Sequence, residues 1–196
     1  GPGQQLEIAK SGNVATAITT YSSGVSDGGA LYLQKSDSDT LGTHSLVDSG
    51  DVLGYLIFLG SDGTNYDQAA YITATVDGTS GAGTDMPGRI QFYTSPDGSA
   101  TPAVRMTIKN DGNVGIGTTT PWGLLAAQIP AGAGSNSLTL ASTTPSGGTD
   151  THLVVTKAGN VGIGTASPGR TLSIDATESI IQMTSAFAGA QYEIGV

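Results

Sequence analysis

The sequence predicts an all-β fold, elongated and made of successive modules. Its apolar residues alternate with a period of two wherever a pattern is clear, turn-forming residues punctuate the chain every few positions, and one block of sixteen residues recurs. Residues 53–59, 70–76, 89–93, 104–108 and 172–174 are short, rich in β-branched or aromatic side chains and bounded by turn residues, the mark of strands. Asp62-Gly63, Asp77-Gly78, Asp97-Gly98 and Asp111-Gly112 predict four tight turns that need positive φ at both central positions. Residues 106–116 read as a hairpin with Met106, Ile108, Val114 and Ile116 on one face. Leu124-Leu125-Ala126-Ala127-Gln128 is the one stretch that reads as a helical turn, ended by Pro130.

The repeat sets the organisation. Residues 106–121 (MTIKNDGNVGIGTTTP) match residues 153–168 (LVVTKAGNVGIGTASP) at eight of sixteen positions with an offset of 47. A worn third copy, Leu6-Glu7-Ile8-Ala9-Lys10-Ser11-Gly12-Asn13-Val14, opens the chain. A second alternating element recurs at residues 31–36, 138–143 and 181–185. These marks divide the chain into a tag remnant 1–3, a shaft segment 4–29, a larger β module 30–121 that is sandwich-like and ends in the repeat, a Gly/Ala-rich linker 122–136, a short β-hairpin repeat 137–168, and the start of a further, truncated module at 169–196. Gly1-Pro2-Gly3 reads as the scar of a protease-cut tag, and the chain stops in strand-like sequence, as expected of a fragment of a longer protein.

Composition narrows the function. Gly, Ser and Thr supply 76 of 196 residues, while charged residues are only 12%, against roughly 25% in an ordinary globular chain. Seven Lys+Arg and a net charge of −9 argue against nucleic-acid binding, which needs clustered cations. No apolar run approaches the roughly 18–20 residues of a membrane span, and the absence of Cys removes disulfides and thiolate chemistry. One chain has little with which to build a core, and Gly115 and Gly117 flank Ile116 as Gly162 and Gly164 flank Ile163. The expectation is a core shared between copies wound about one axis, with Val114, Ile116, Val161 and Ile163 facing it and the four glycines permitting close backbone approach.

One stretch carries a resemblance. Leu53-Gly54-Tyr55-Leu56-Ile57-Phe58, Asp62-Gly63-Thr64-Asn65-Tyr66, Val76-Asp77-Gly78-Thr79, Met86-Pro87-Gly88-Arg89 and Pro102-Ala103-Val104-Arg105-Met106-Thr107-Ile108 lead in order to Gly112-Asn113-Val114-Gly115-Ile116-Gly117-Thr118 and Pro121. This resembles a module of bacteriophage tail fibre and tailspike proteins, of the kind found upstream of endosialidase-type intramolecular chaperone domains. The resemblance covers about residues 50–121, and 153–175 by the repeat alone. It implies an elongated, intertwined homotrimer in a virion tail, with other tail proteins and a host glycan or protein receptor as partners, and no catalytic residues or cofactor. The chaperone's self-cleaving Ser and Lys have no counterpart here.

Candidate sites are few. His44 and His152 sit in Thr/Asp-rich loops, and a His-Asp-Ser set with Asp48 or Asp150 has no nucleophile elbow to fix it. Asp62, Asn65 and Asp67 place oxygen donors at a density a Ca²⁺ loop would use, but the spacing is not that of an EF-hand, and turn chemistry accounts for them. Asp37, Asp39, Asp48 and Asp51 form a looser acidic loop set. Glu7, Glu178 and Glu193 are the only Glu, and none pairs with an Asp in a glycosidase-like motif. Asn65, Tyr66 and Asp67 are the best candidate contact loop for a ligand, and Trp122, which follows the first repeat, is either a junction plug or a second contact. The primary expectation is a non-catalytic fibre module; a carbohydrate-binding adhesin and a glycan-degrading tailspike fragment are the alternatives.

Overall fold

The computed structural model describes residues 16–25, 27–128, 138–143 and 149–175. The worn repeat copy at 6–14 and the element at 181–185 lie outside them. Among the described residues there is no helix, and two mixed sheets account for all the strands. The first holds β1 (Val52–Ser61), β2 (Tyr66–Val76), β3 (Gly88–Thr94), β4 (Ala103–Ile108), β5 (Val114–Ile116) and β6 (Leu125–Ala127) in sequence order, all neighbours antiparallel except the parallel β5–β6 pair. The second holds β7 (Leu138–Thr143), β8 (Thr149–Val155), β9 (Val161–Ile163) and β10 (Leu172–Ile174), with β9–β10 parallel.

The sequence repeat is a structural repeat. In the first copy Val114 N donates to Leu124 O, Gln128 N to Ile116 O and Gly117 N to Arg105 O; in the second Val161 N donates to Thr171 O, Asp175 N to Ile163 O and Gly164 N to His152 O. Each bond recurs at the same offset of 47. The unit is a hairpin, a Gly-Thr-x-x-Pro connector and a strand that returns parallel to the hairpin's second arm.

Two sequence expectations need correction. Leu125–Ala127 is strand β6, not a helical turn. Its carbonyl and amide neighbours are captured by β5, and this long-range pairing outweighs the helix propensity of Leu and Ala. The Asp-Gly turns are not of the type with two positive φ values. Gly63, Gly78, Gly98 and Gly112 have positive φ (94°, 153°, 76° and 83°), but no non-glycine residue among the described ones does. At 109–113, Gly112 N donates to Lys109 O and Lys109 N to Asn113 O, a type I turn closed by a left-handed glycine.

The second alternating element divides. Residues 138–143 form β7 because β8 supplies a partner. Residues 31–36 form no strand, and the main chain of 31–34 makes no hydrogen bond to a described residue.

The hairpin register pairs Met106 with Ile116 and Ile108 with Val114, so these four side chains share a face as expected. That face continues across the sheet through Leu56, Phe58, Ile72, Ile90, Phe92 and Leu125. Most of it is open, with Leu56, Phe58, Ile90, Ile116 and Leu125 52%, 53%, 43%, 44% and 72% exposed; Val76, on the same face at the end of β2, is buried. The covered face is the other one, where Thr73, Gln91, Thr107, Gly115 and Ala126 lie in register and buried. Most of its polar groups are bonded: Tyr93 OH donates to Gln91 Oε1 (3.2 Å), Gln91 Nε2 to Thr107 Oγ1 (3.3 Å) and Thr73 Oγ1 to Gly54 O (3.2 Å), while Arg89 Nε is buried without a partner among the described residues.

Candidate functional site

Two features stand out, the open apolar faces and a groove at one end of the first sheet. The second sheet repeats the first. Leu138, Val155, Val161 and Leu172 lie in one register row, and Leu140, Leu153, Ile163 and Ile174 in the next, all on one face. None of these eight is buried, whereas Val154 and Gly162, on the opposite face, are. The connectors explain the asymmetry. A Cβ on Gly115 would stand 2.5 Å from Thr118 O, and one on Gly162 2.6 Å from Thr165 O, because the connector folds onto that face. Pro121 and Pro168 are buried there. The four repeat glycines therefore have a close-packing role inside one chain, where the sequence had placed it between chains. Val114, Ile116, Val161 and Ile163 are on the uncovered side, partly or largely exposed.

β1 is an edge strand whose five consecutive residues Tyr55, Leu56, Ile57, Phe58 and Leu59 are all exposed, on both faces of the sheet. Leu33 lies over Gly54 at its start. On the face opposite Leu56, Tyr55, Tyr71 and Tyr93 form a row across three strands, with Tyr71 and Tyr93 stacked at 4.1 Å and Tyr55 edge-on to Tyr71 at 5.9 Å. Burial, then the neighbouring Tyr93, holds the Tyr71 phenol above its ordinary value.

The groove is a shallow, open depression of about 450 Å³ between the β1–β2 turn, the first residues of β2 and the β3–β4 loop. Asp62, Asp67, Gln68, Ser95 and Ser99 line it. Ser95 fastens the loop to β2, its amide donating to Ala69 O (2.9 Å) and its hydroxyl to Gln68 O (2.5 Å). Asp62 caps the turn: its Oδ1 accepts from Thr64 N (2.6 Å) and Asn65 N (2.7 Å). The amides of Asn65 and Thr64 hold its carboxyl below the ordinary 3.8. Of the sequence-predicted contact loop, Asp67 lines the groove, while Asn65 serves the turn and Tyr66 stands exposed beside it. Gln68, Ser95 and Ser99 were missed because they come together only when β2 pairs with β3. Trp122 is 72% exposed in the connector, away from the groove's lining.

The remaining candidates resolve separately. A second cavity of about 350 Å³ is lined by Lys35, His44, Val47 and Met86 among others. Lys35 is tied to Asp37 and Asp51, which hold its ammonium above the ordinary value. His152 Nε2 bonds Ser142 Oγ at 2.9 Å across β8–β7. Among the described residues no three acidic or His side chains gather as metal ligands, and no helix is long and apolar enough to cross a membrane.

No family model matches this chain, and no curated protein does. Among solved structures it is similar to the carboxy-terminal domain of the bacteriophage T5 L-shaped tail fibre, at 14% identity and a TM-score of 0.41 over 47% of this chain and 33% of that one. It is also similar to the same domain with its intramolecular chaperone domain, at 14% identity and a TM-score of 0.45 over 53% of this chain and 25% of that one. The chain thus spans a third or less of the structures it matches.

Proposed function

We propose that this chain is a non-catalytic structural module of a phage tail fibre, in which copies associate through the open apolar faces of both sheets. The observation that carries the reading is the placement of the apolar residues. Each sheet buries residues of a row that is mostly Thr, Gly and other small or polar residues, with Val154 the apolar exception, and leaves most of its Leu, Ile and Phe row partly or largely exposed, with Val76 at the end of β2 the covered exception. A half-exposed Leu, Ile or Phe forgoes about 1 kcal/mol of burial, and the loss is repeated along both faces. A second copy of the same face removes that cost and supplies the core one chain lacks. The free edge of β1, apolar on both sides, points the same way, because such an edge left unpaired is an aggregation site. The number of copies, three, comes from the sequence resemblance, as do the virion setting and the role of spacing or displaying a receptor-binding surface. The repeat unit, recurring bond for bond, suits a shaft assembled from successive modules.

Light scattering coupled to size exclusion tests this. The expected mass is three times 19.5 kDa, with early elution. Ile116→Asp combined with Ile163→Asp, which places charge on both open faces, should lower the mass while the β-type circular dichroism persists. A folded monomer for the parent chain, or an assembly indifferent to both charges, would overturn the reading.

A further inference from the structure

We infer that the groove at the β1–β2 end is a subsite for a neutral saccharide, which deepens the recognition part of the proposed function. Its volume of about 450 Å³ falls in the range of small-ligand clefts, roughly 300–1,000 Å³. The chemistry of its wall fits hydroxyl groups. The Asp67 carboxylate and the Gln68 carboxamide have no hydrogen-bond partner among the described residues, and the second oxygen of Asp62 is likewise unused. Ser99 Oγ accepts from Thr101 N, and Ser61 Oγ from Gly63 N, so both hydroxyl protons are left to donate. Ser95 Oγ already donates to Gln68 O and is left to accept. The wall therefore offers carboxylate acceptors, amide groups and hydroxyl donors in one cleft, the complement of a pyranose edge.

The same residues exclude other ligands. No Lys, Arg or His lines the groove, and two carboxylates do, in a chain of net charge −9. A uronate, a sialate or a phosphate would meet uncompensated negative charge. Gly60, Ala69, Gly98 and Ala100 leave room for the carbon face of a ring.

The test is saturation-transfer difference NMR on the whole chain with methyl β-D-galactopyranoside, methyl α-D-glucopyranoside and methyl β-D-glucuronide as probes. A single ring carries few atoms, so dissociation constants on the order of millimolar are expected for at least one neutral glycoside, and no transfer to the glucuronide. Asp67→Asn should weaken the neutral probe by about tenfold through loss of a charge-assisted bond, and Ala100→Trp should abolish its signal by filling the cleft. Solution mass and circular dichroism, measured on both variants, separate loss of the site from loss of the fold or of assembly. Absence of transfer to either neutral glycoside, equal binding of the glucuronide, or folded variants that bind like the parent would each overturn the inference.

Discussion

Replacing Gly117 by Ala probes the joint that closes each repeat. Gly117 sits at φ +71°, and a Cβ there would stand 2.2 Å from Gln128 O, a main-chain atom that no side-chain rotation can remove. The left-handed conformation alone costs an L-residue about 1–2 kcal/mol. Relieving the contact requires Gln128 to move back, which breaks the 2.9 Å bond from its amide to Ile116 O, a further loss of about 1 kcal/mol. The sum is about 2–3 kcal/mol. Gly112 supplies the control: its φ is +83°, and a Cβ would meet nothing within 4 Å. Gly112→Ala should therefore carry the conformational cost only. Thermal melts at one fixed protein concentration compare them, since assembly makes the midpoint concentration-dependent. For a chain of this size 1 kcal/mol corresponds to about 2–4 °C, so the Gly117 variant should melt several degrees below the Gly112 variant. The second repeat offers the same comparison, with Gly164 (Cβ 2.0 Å from Asp175 O) against the open Gly159. Equal midpoints within either pair would refute the claim that these glycines are fixed by close approach of the returning strand.

Two further outcomes are expected beside the assembly and saccharide tests. Asp77 receives Arg89 Nη1 at 3.0 Å, the Asn110 amide at 3.3 Å and Lys109 Nζ at 3.7 Å, with its side chain only 9% exposed. Asp77→Ala should cost about 2 kcal/mol in urea unfolding; a loss below about 0.5 kcal/mol would reduce the cluster to an ordinary surface pair. Asp62 has a folded-state pKa below 3.8, so its contribution is present above that value and is lost as pH falls through the lower folded value. Asp62→Asn should accordingly flatten the fall in melting temperature at acid pH, and an unchanged acid limb would remove the turn amides as its cause.

Much of the fold is legible in the residues. Alternation places β1, β3 and β4 within a residue or two and β2 with a start four residues late, and the sixteen-residue repeat predicts two equivalent hairpins that the structure matches bond for bond. The pairing of Met106 with Ile116 is readable because the Asp-Gly turn fixes where the chain reverses. Turn type was not readable. Asp-Gly fits a turn with two positive φ values as well as a type I turn with one, and the longer loop at 110–112 decides for the second. Strand β6 was hidden because three residues of Leu and Ala carry no alternation of their own. The candidate site was half visible: Asp67 stands in a suspicious loop, while Gln68, Ser95 and Ser99 signal nothing until two strands bring them together.

By itself the sequence determined the β class, the recurring hairpin and which residues share a face, because side-chain period and turn chemistry are local properties. It could not determine which face is covered. An alternating strand has two sides, and the apolar one is ordinarily turned inward. Here the Gly-Thr-x-x-Pro connector lies on the side of Thr107 and Gly115, where only glycine admits Thr118 O, and the apolar row is left outside. That choice rests on the path of the returning chain between β5 and β6, a long-range contact that only the tertiary structure decided.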